Sequence, residues 1–424
     1  MAVEQVVNSG LKLKTVESIP ADWRIHQVDE LFSFLKTNSL SRNDLSYDYS
    51  EFPIYNIHYG DIHATFDSSV LDFEKESRVP VIKSMNQLPK EVDYLSEGDL
   101  IMADVSEDYD GVGEAIEILN LKGRQVLAGL HTIALRGDHR TALGFRSYIF
   151  KHPGVVKSLR VIATGTKVYG ISKSNVSKLR VILPPLPEQR KIAEILFTWD
   201  EAIAQAKALI EQLKLRNKGL AQQLLTGKKR LKGFNGEWKE VKLEKYFSER
   251  NERGFDDLNL LSVGELGVYP QSESNKKDTS NADKAKYKRI CPGDIGYNTM
   301  RMWQGRSALS SLEGIVSPAY TVVTPKGNAD PNFFALLFKQ EPVIHKFFRN
   351  SQGLVSDTLN CKFKDFKNVK VYIPTDKLEQ SQIADILSKG FEEIKGLEQK
   401  MHLLKDQKKG LMQKLLTGEV RVIT

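Results

Sequence analysis

The run NTMRMWQGR (298–306) sets two guanidinium forks, Arg301 and Arg306, among the amides of Asn298 and Gln304 and the indole of Trp303. Fixed forks, amides and flat rings are the groups that meet phosphates and base edges. The same run read as a buried strand would carry bulky side chains inward, so contact surface and core both stand as readings. A second run, ADVSEDYDGVGEA (103–115), gathers Asp104, Glu107, Asp108 and Asp110 around Tyr109. Its carboxylates lack the regular spacing of a cation loop, and DGVGEA is a fragment of a glycine-rich fingerprint that reads better as a turn. His58 and His63 have no partners at metal-ligand spacing and read as solvated or core histidines. LLTGKK has the lysine of a phosphate loop without its earlier glycine. No Asn/Asp-Pro-Pro-Tyr/Phe box accompanies these runs, and no catalytic residue is assigned.

The totals narrow the class. The chain has 424 residues, 41% hydrophobic and 27% charged, with two cysteines, Cys291 and Cys361. That suits a globular protein of two or three domains without a disulfide framework. No apolar run approaches the roughly 18–20 residues needed to cross a bilayer. The start, MAVEQVVNSGLKLK, lacks the apolar centre of a secretory signal, so the chain reads as cytoplasmic. The net charge is +7, unevenly spread: residues 19–130 hold 9 basic against 21 acidic groups, and residues 131–183 hold 10 against 1. An anionic polymer would be repelled by the first stretch and drawn to the second; a merely uneven surface accounts for the charge equally well.

What must position these groups is a duplication. Shifted by 191 positions, residues 188–230 lie on 379–421 without a gap, and 19 of the 43 positions match, among them EQ, KGL and LLTG. Prolines lead into each copy. Apolar residues then recur at steps of four and three: Ile192, Leu196, Trp199, Ile203, Ala206, Ile210, Leu213, Leu220 and Leu224, and again Ile383, Leu387, Ile394, Leu397, Met401, Leu404, Leu411 and Leu415. This 3.5-residue period is a coiled-coil seam. It is broken at the equivalent positions Asn217 and Lys408, and Thr-Gly closes each helix. From residue 188 to 225 such a rod would be about 57 Å long.

The segments between the rods repeat more faintly, pairing Trp23 with Trp238, GDLIMA with GDIGYN, and SKLRVILP with KNVKVYIP. The expected order is globule, rod, globule, rod: 1–183, 184–233, 234–373 and 374–424. The expected fold class is α+β, with two globular domains built on twisted β-sheets. Two long antiparallel coiled-coil helices separate them with pseudo-two-fold symmetry.

The stretches LPPLPEQRKIAEIL (183–196) and IPTDKLEQSQIADIL (373–387), with the doubled LLTG, resemble the specificity (S) subunits of Type I restriction-modification systems. The second copy departs from the usual PPLPEQ at its helix entry. The resemblance implies a non-catalytic subunit whose two target-recognition domains each read half of a bipartite, asymmetric site on double-stranded DNA. It implies rods that fix the gap and dock two methyltransferase subunits, which methylate adenine N6 with S-adenosylmethionine. Where a restriction arm exists, two motor-nuclease subunits using ATP and Mg join, and no cofactor binds this chain itself.

Under that resemblance, three places per globule present candidate DNA contacts. The hairpin after each GD offers Tyr109, and then Asn298, Arg301, Trp303 and Arg306. A loop tip at RGDHR offers Arg136 and Arg140, or is a solvated turn. The glycine-led loop before the last strand, which in the family lies near DNA, offers Lys167, Tyr169 and Lys173, and then Arg349, Gln352 and Lys362. The acidic residues 104–110 would face a partner or accept from cytosine amino groups. A coiled-coil adaptor with peptide-binding globules is the alternative from another class.

Overall fold

The computed structural model describes residues 19–49, 53–84, 86, 88, 90–264, 267–274, 283–353 and 358–422. The N-terminal stretch considered for signal character lies outside them, as do residues 354–357 of the second glycine-led loop. The chain divides into two compact units, Met1–Ala206 with Lys400–Thr424, and Lys207–Gln399. Two long helices, Leu186–Leu224 and Lys377–Thr417, each contribute one half to each unit.

In the first unit a five-stranded sheet has the order Phe32–Leu35, Thr132–Gly137, Leu100–Ala103, Ala115–Leu119, Val70–Asp72. Its central strand LIMA is apolar at every position because both faces are covered. Leu100 and Met102 enter the core shared with the helix Pro153–Ile162 and with Ile192, Leu196 and Leu415 of the rods. Ile101 and Ala103 point the other way, toward a core shared with a second sheet that contains Ile54–Ile57 and Gln125–Ala128. The strand Arg24–Gln27 pairs antiparallel with Arg180–Leu183, tying the globule's first strand to its last.

The second unit repeats this frame in smaller form. Its four-stranded sheet runs Phe247–Arg250, Tyr320–Pro325, Ile295–Asn298, Ser307–Leu309, and Trp238–Lys242 pairs with Lys370–Pro374. The core is aromatic, with Phe247, Phe333, Phe334, Phe338, Phe347 and Phe366 buried against Leu224, Ile383 and Leu387 of the rods.

Within each unit the rod halves run antiparallel. In the first, Arg421 pairs with Glu188 and Lys408 with Asp200; in the second, Arg230 pairs with Glu379 and Arg216 with Glu393. The two polar seam positions meet different partners. Asn217 is 4% exposed and faces Gly390, where an added Cβ would stand 2.6 Å from its amide nitrogen. Lys408 reaches Asp200 at 2.5 Å, and Asp200 also accepts from the Tyr148 hydroxyl at 3.1 Å.

The duplicated EQ and LLTG motifs now acquire a reason. Gly227 and Gly418 end the rods at φ +71° and +73°, the left-handed turn that glycine adopts without a Cβ clash. The arginine three residues beyond each then closes a clasp. Arg421 donates to the buried Glu188 at 2.7 and 2.9 Å, the Trp23 indole donates to the same carboxylate at 2.9 Å, and the guanidinium lies 5.7 Å from the Trp23 ring centre. Arg230, Glu379 and Trp238 repeat this at 2.7, 2.8, 3.2 and 5.8 Å. The glutamines alongside pin each globule to its rod: Gln189 accepts from the Ala142 N–H, and Gln380 from the Asp330 N–H.

Candidate nucleic-acid interface

In both units the hairpin after the GD pair and the later glycine-led loop come together. In the first unit, Val105–Ser106 of the hairpin loop pairs antiparallel with Tyr169–Gly170, and Ile171 N–H donates to the Asp104 carbonyl at 2.8 Å. In the second, Cys361 N–H donates to the Thr299 carbonyl at 2.8 Å, next to an antiparallel bridge of Gln352 with Asn360 within the glycine-led loop itself. The end of the preceding helix joins both: Pro153–Ile162 in the first unit, Glu341–Asn350 in the second. Gly113 and Gly305 let the hairpin close on that helix. Both have φ +75°, and a Cβ there would stand 2.9 Å from Leu159 or 2.7 Å from Ile344.

The aspartates of the two GD pairs explain the frame beneath. Asp99 and Asp294 are each 1% exposed. Each accepts from a backbone N–H of its own turn, Ser96 at 2.7 Å and Cys291 at 2.8 Å, and each holds an arginine. In the first unit that arginine is Arg136, which donates to Asp99 at 3.0 and 2.7 Å and also to Tyr94 and Ser96. This corrects the loop-tip placement of Arg136: it stands inside the strand Thr132–Gly137, with its fork already engaged. Arg140 does lie in the following turn, where its fork grips Asp138 at 2.8 and 2.6 Å.

The remaining candidates divide by unit. Tyr109 is 44% exposed; its hydroxyl donates to the Arg160 carbonyl at 2.8 Å and its ring meets the half-buried Tyr169 edge-on. Lys167 is exposed at the loop tip and makes no ion pair among the described residues. Lys173 opens the short helix Lys173–Ser177, with its ammonium 4.9 Å from the Phe34 ring centre. In the second unit the run 299–306 is neither strand nor core. It is a loop around the 3-10 turn Met302–Gln304, in which Met302 alone is buried deeply as an anchor. Asn298 caps that loop by accepting from the Met300 N–H at 2.9 Å. Arg301 and Arg306 are exposed, as are Arg349 in the last turn of its helix, Gln352, and Lys362 at the start of Phe363–Phe366.

Sequence reasoning missed two groups. Arg160 ties the first helix to its hairpin through Asp110 at 2.7 Å. Phe348 does the same in the second unit through Trp303, ring centres 6.1 Å apart, and is 45% exposed. The signal for Phe348 was its neighbour: Val343 and Phe347 form the inward stripe of that helix, so a phenylalanine one position on lies off it.

The acidic run resolves into local bonds. Asp108 accepts from the Gly111 N–H at 2.5 Å, and Asp104 lies 3.3 Å from His131. Asp104, Lys173, Lys36 and Glu91 line a recess of 470 Å³ beside the hairpin. His58 caps the helix Tyr59–Ala64, and burial lowers its pKa; His63 bonds the Val105 carbonyl at 3.0 Å. Among the described residues no cluster of His, Cys, Asp and Glu is arranged for a metal, and no helix is long and apolar enough to cross a membrane.

A family model described as the Type I restriction modification DNA specificity domain matches residues 20–215 and again 235–404. The chain belongs to this family. Both specificity domains thus begin just before a clasp tryptophan and extend into a rod. A putative type I restriction enzyme MjaX specificity subunit from Methanocaldococcus jannaschii is 25% identical, covering 98% of this chain and 97% of that one. The MjaVIII specificity subunit of the same organism is 27% identical over 61% of this chain and 66% of its own. Two solved structures share the fold. The S subunit of a Type I system from M. genitalium has a TM-score of 0.54 at 13% identity, covering 94% of this chain and 96% of that one. A chain from a study of type I R-M complex assembly has a TM-score of 0.57 at 15% identity, covering 95% and 100%. The chain is a Type I specificity subunit, and its activity is the recognition of DNA sequence.

Proposed function

We propose that each specificity domain reads one half of a bipartite, asymmetric site on double-stranded DNA. The rods set the gap and dock two methyltransferase subunits that methylate adenine N6 with S-adenosylmethionine; in a full complex, restriction subunits using ATP and Mg join them. The chain itself carries out no chemistry and works in the cytoplasm. One observation carries this reading: the two units share clasp, sheet and hairpin, yet the hairpin loops differ in chemistry. Residues 104–114 carry Asp104, Glu107, Asp108, Asp110 and Glu114, whereas residues 299–306 carry Arg301 and Arg306. A repeated frame holding unlike loops suits two half-sites of unlike sequence. Acidic side chains accept from cytosine N4, and arginine forks suit guanine O6 and N7. The test is to express the chain with its cognate methyltransferase subunit in a methylation-free host and to map modified adenines by single-molecule sequencing. One bipartite motif with a fixed gap is expected. Modification that depends on this chain but shows no bipartite motif refutes the two-reader assignment. A stable complex that leaves the genome unmodified favours the adaptor.

A further inference from the structure

The surface around Trp303 differs from an ordinary basic patch. The one donor of the Trp303 indole is engaged internally, bonding the Met300 carbonyl at 2.9 Å. What the ring presents outward is therefore carbon alone. Phe348 meets it edge-on at 45% exposure, and Met300 stands 47% exposed in the same loop. Phe348 also stacks with His345, ring centres 6.2 Å apart. Two cations flank this apolar centre, Arg301 in the loop and Arg349 next to Phe348 in the helix. Both are exposed, and neither makes an ion pair among the described residues. The first unit makes the same helix-to-hairpin contact with a charge pair, Arg160 with Asp110. Core packing therefore does not demand an aromatic pair at this joint.

Resting on the DNA-reading assignment above, we infer that Phe348, supported by Trp303, reads the 5-methyl group of one thymine in the half-site of the second unit. The argument is by elimination among base edges. In the major groove the thymine 5-methyl is the one group that projects an apolar surface; the rest are donors and acceptors, apart from the bare C5–H of cytosine, which stands out less. A carbon surface with its only donor already bonded finds its largest complement there in that methyl. Arg349, beside Phe348 in the helix, suits a phosphate, which supplies affinity without sequence, and leaves the Arg301 fork for a neighbouring base edge. Trp303 and His345 fix the Phe348 ring, so little rotamer freedom is lost on contact.

The experiment uses the complex of this chain with its methyltransferase subunit and duplexes bearing the methylated motif. Each thymine in turn is replaced by deoxyuridine, which removes only the methyl. Binding is measured at one fixed salt concentration, because the electrostatic part varies steeply with salt. Burial of one methyl-sized group at about 0.8 kcal/mol corresponds to about fourfold in affinity. The expected result is a fourfold loss at one thymine, with Phe348→Ala weakening the thymine duplex and bringing the thymine-to-uracil ratio to one. No sensitivity at any thymine overturns the inference, and needs no variant to fold. A ratio unchanged in Phe348→Ala also overturns it, as does loss of methyltransferase co-purification with the ratio intact, which would make the patch a protein-docking surface. If the wild-type complex discriminates no sequence at all, the DNA-reading assignment itself falls, and the inference falls with it.

Discussion

The clasp at the start of the first rod makes an asymmetric prediction. Glu188 is a carboxylate whose side chain is 4% exposed, held by Arg421 and the Trp23 indole; Arg421 is 43% exposed and also reaches Asp22 at 2.6 Å. Arg421→Ala leaves a buried carboxylate with one neutral donor. Removing one partner of a buried pair costs about 3–5 kcal/mol, and the exposure of Arg421 admits water and brings this to about 3 kcal/mol or slightly less. Glu188→Gln leaves Arg421 with Asp22 and solvent, and the glutamine oxygen still accepts from Trp23. That loss resembles a surface pair, about 1 kcal/mol. The two deletions therefore differ by about 2 kcal/mol although they break the same bond. The double variant should be more stable than Arg421→Ala alone, because the unpaired charge is gone. The assay is urea denaturation with hydrogen exchange read in the strands Arg24–Gln27 and Arg180–Leu183, which pair directly beside the clasp. If Glu188→Gln costs as much as Arg421→Ala, or the double variant is no better than Arg421→Ala, buried charge is not what the clasp neutralises.

Two more predictions concern the sheet of the first unit. Burial pushes the Glu117 carboxyl up to about 7, although the Gly144 and Ser147 amides donate to it. The folded state thus holds the proton more tightly than the unfolded chain. This stability is present below the ordinary value near 4.5 and lost as pH rises through about 7, amounting to about 3 kcal/mol. Glu117→Gln should flatten the pH dependence of unfolding in that window, measured by urea titrations at stepped pH; an unchanged slope refutes it. The second uses the internal repeat. Asp99 takes its guanidinium from Arg136, whereas Asp294 takes it from Arg250 at 2.6 Å and a hydroxyl from Thr324 at 2.8 Å. By strand register, Arg136 opposes Ser33 as Thr324 opposes Ser248, so Leu35 occupies the place of Arg250. Arg136→Thr should destabilise, and adding Leu35→Arg should recover most of the loss; a double variant no better than the single refutes the equivalence.

The rods were legible because a 3.5-residue period survives in any sequence that must keep one stripe buried, and a gapless shift of 191 doubles the signal. The clasp was not. Its members, Trp23, Glu188 and Arg421, are far apart in sequence, and their trace was that each recurs in the repeat, Glu and Arg among the matched rod positions and Trp23 as the partner of Trp238, with nothing to join the three. Arg136 was misplaced for a related reason. RGDHR has the composition of a turn, but the strand Thr132–Gly137 runs two residues past its apolar part so that the guanidinium can reach Asp99. The hairpin loops were legible as candidate contacts by their mixture of charge and aromatic groups. Their joint with the helix before the glycine-led loop was not, since a pair such as Trp303 and Phe348 requires the fold to bring positions 45 residues apart together.

The placement of buried charge explains how one frame can carry unlike loops. Glu188, Glu379, Asp99 and Asp294 are nearly inaccessible, and each is satisfied by an arginine and further donors supplied by strands, rods or turns of the frame. None draws a partner from residues 104–114 or 299–306. A substitution in those loops therefore leaves no buried carboxylate unpaired, the error that costs most. What both loops share with the frame is a glycine at φ +75°, a backbone bond to the glycine-led loop and a contact with the helix before that loop, and the helix contact tolerates an ion pair in one unit and two aromatic rings in the other. The chemistry these loops present is thus uncoupled from the buried charge pairs of the fold, and on the two-reader proposal this is what lets the two domains differ in what they read without differing in how they stand.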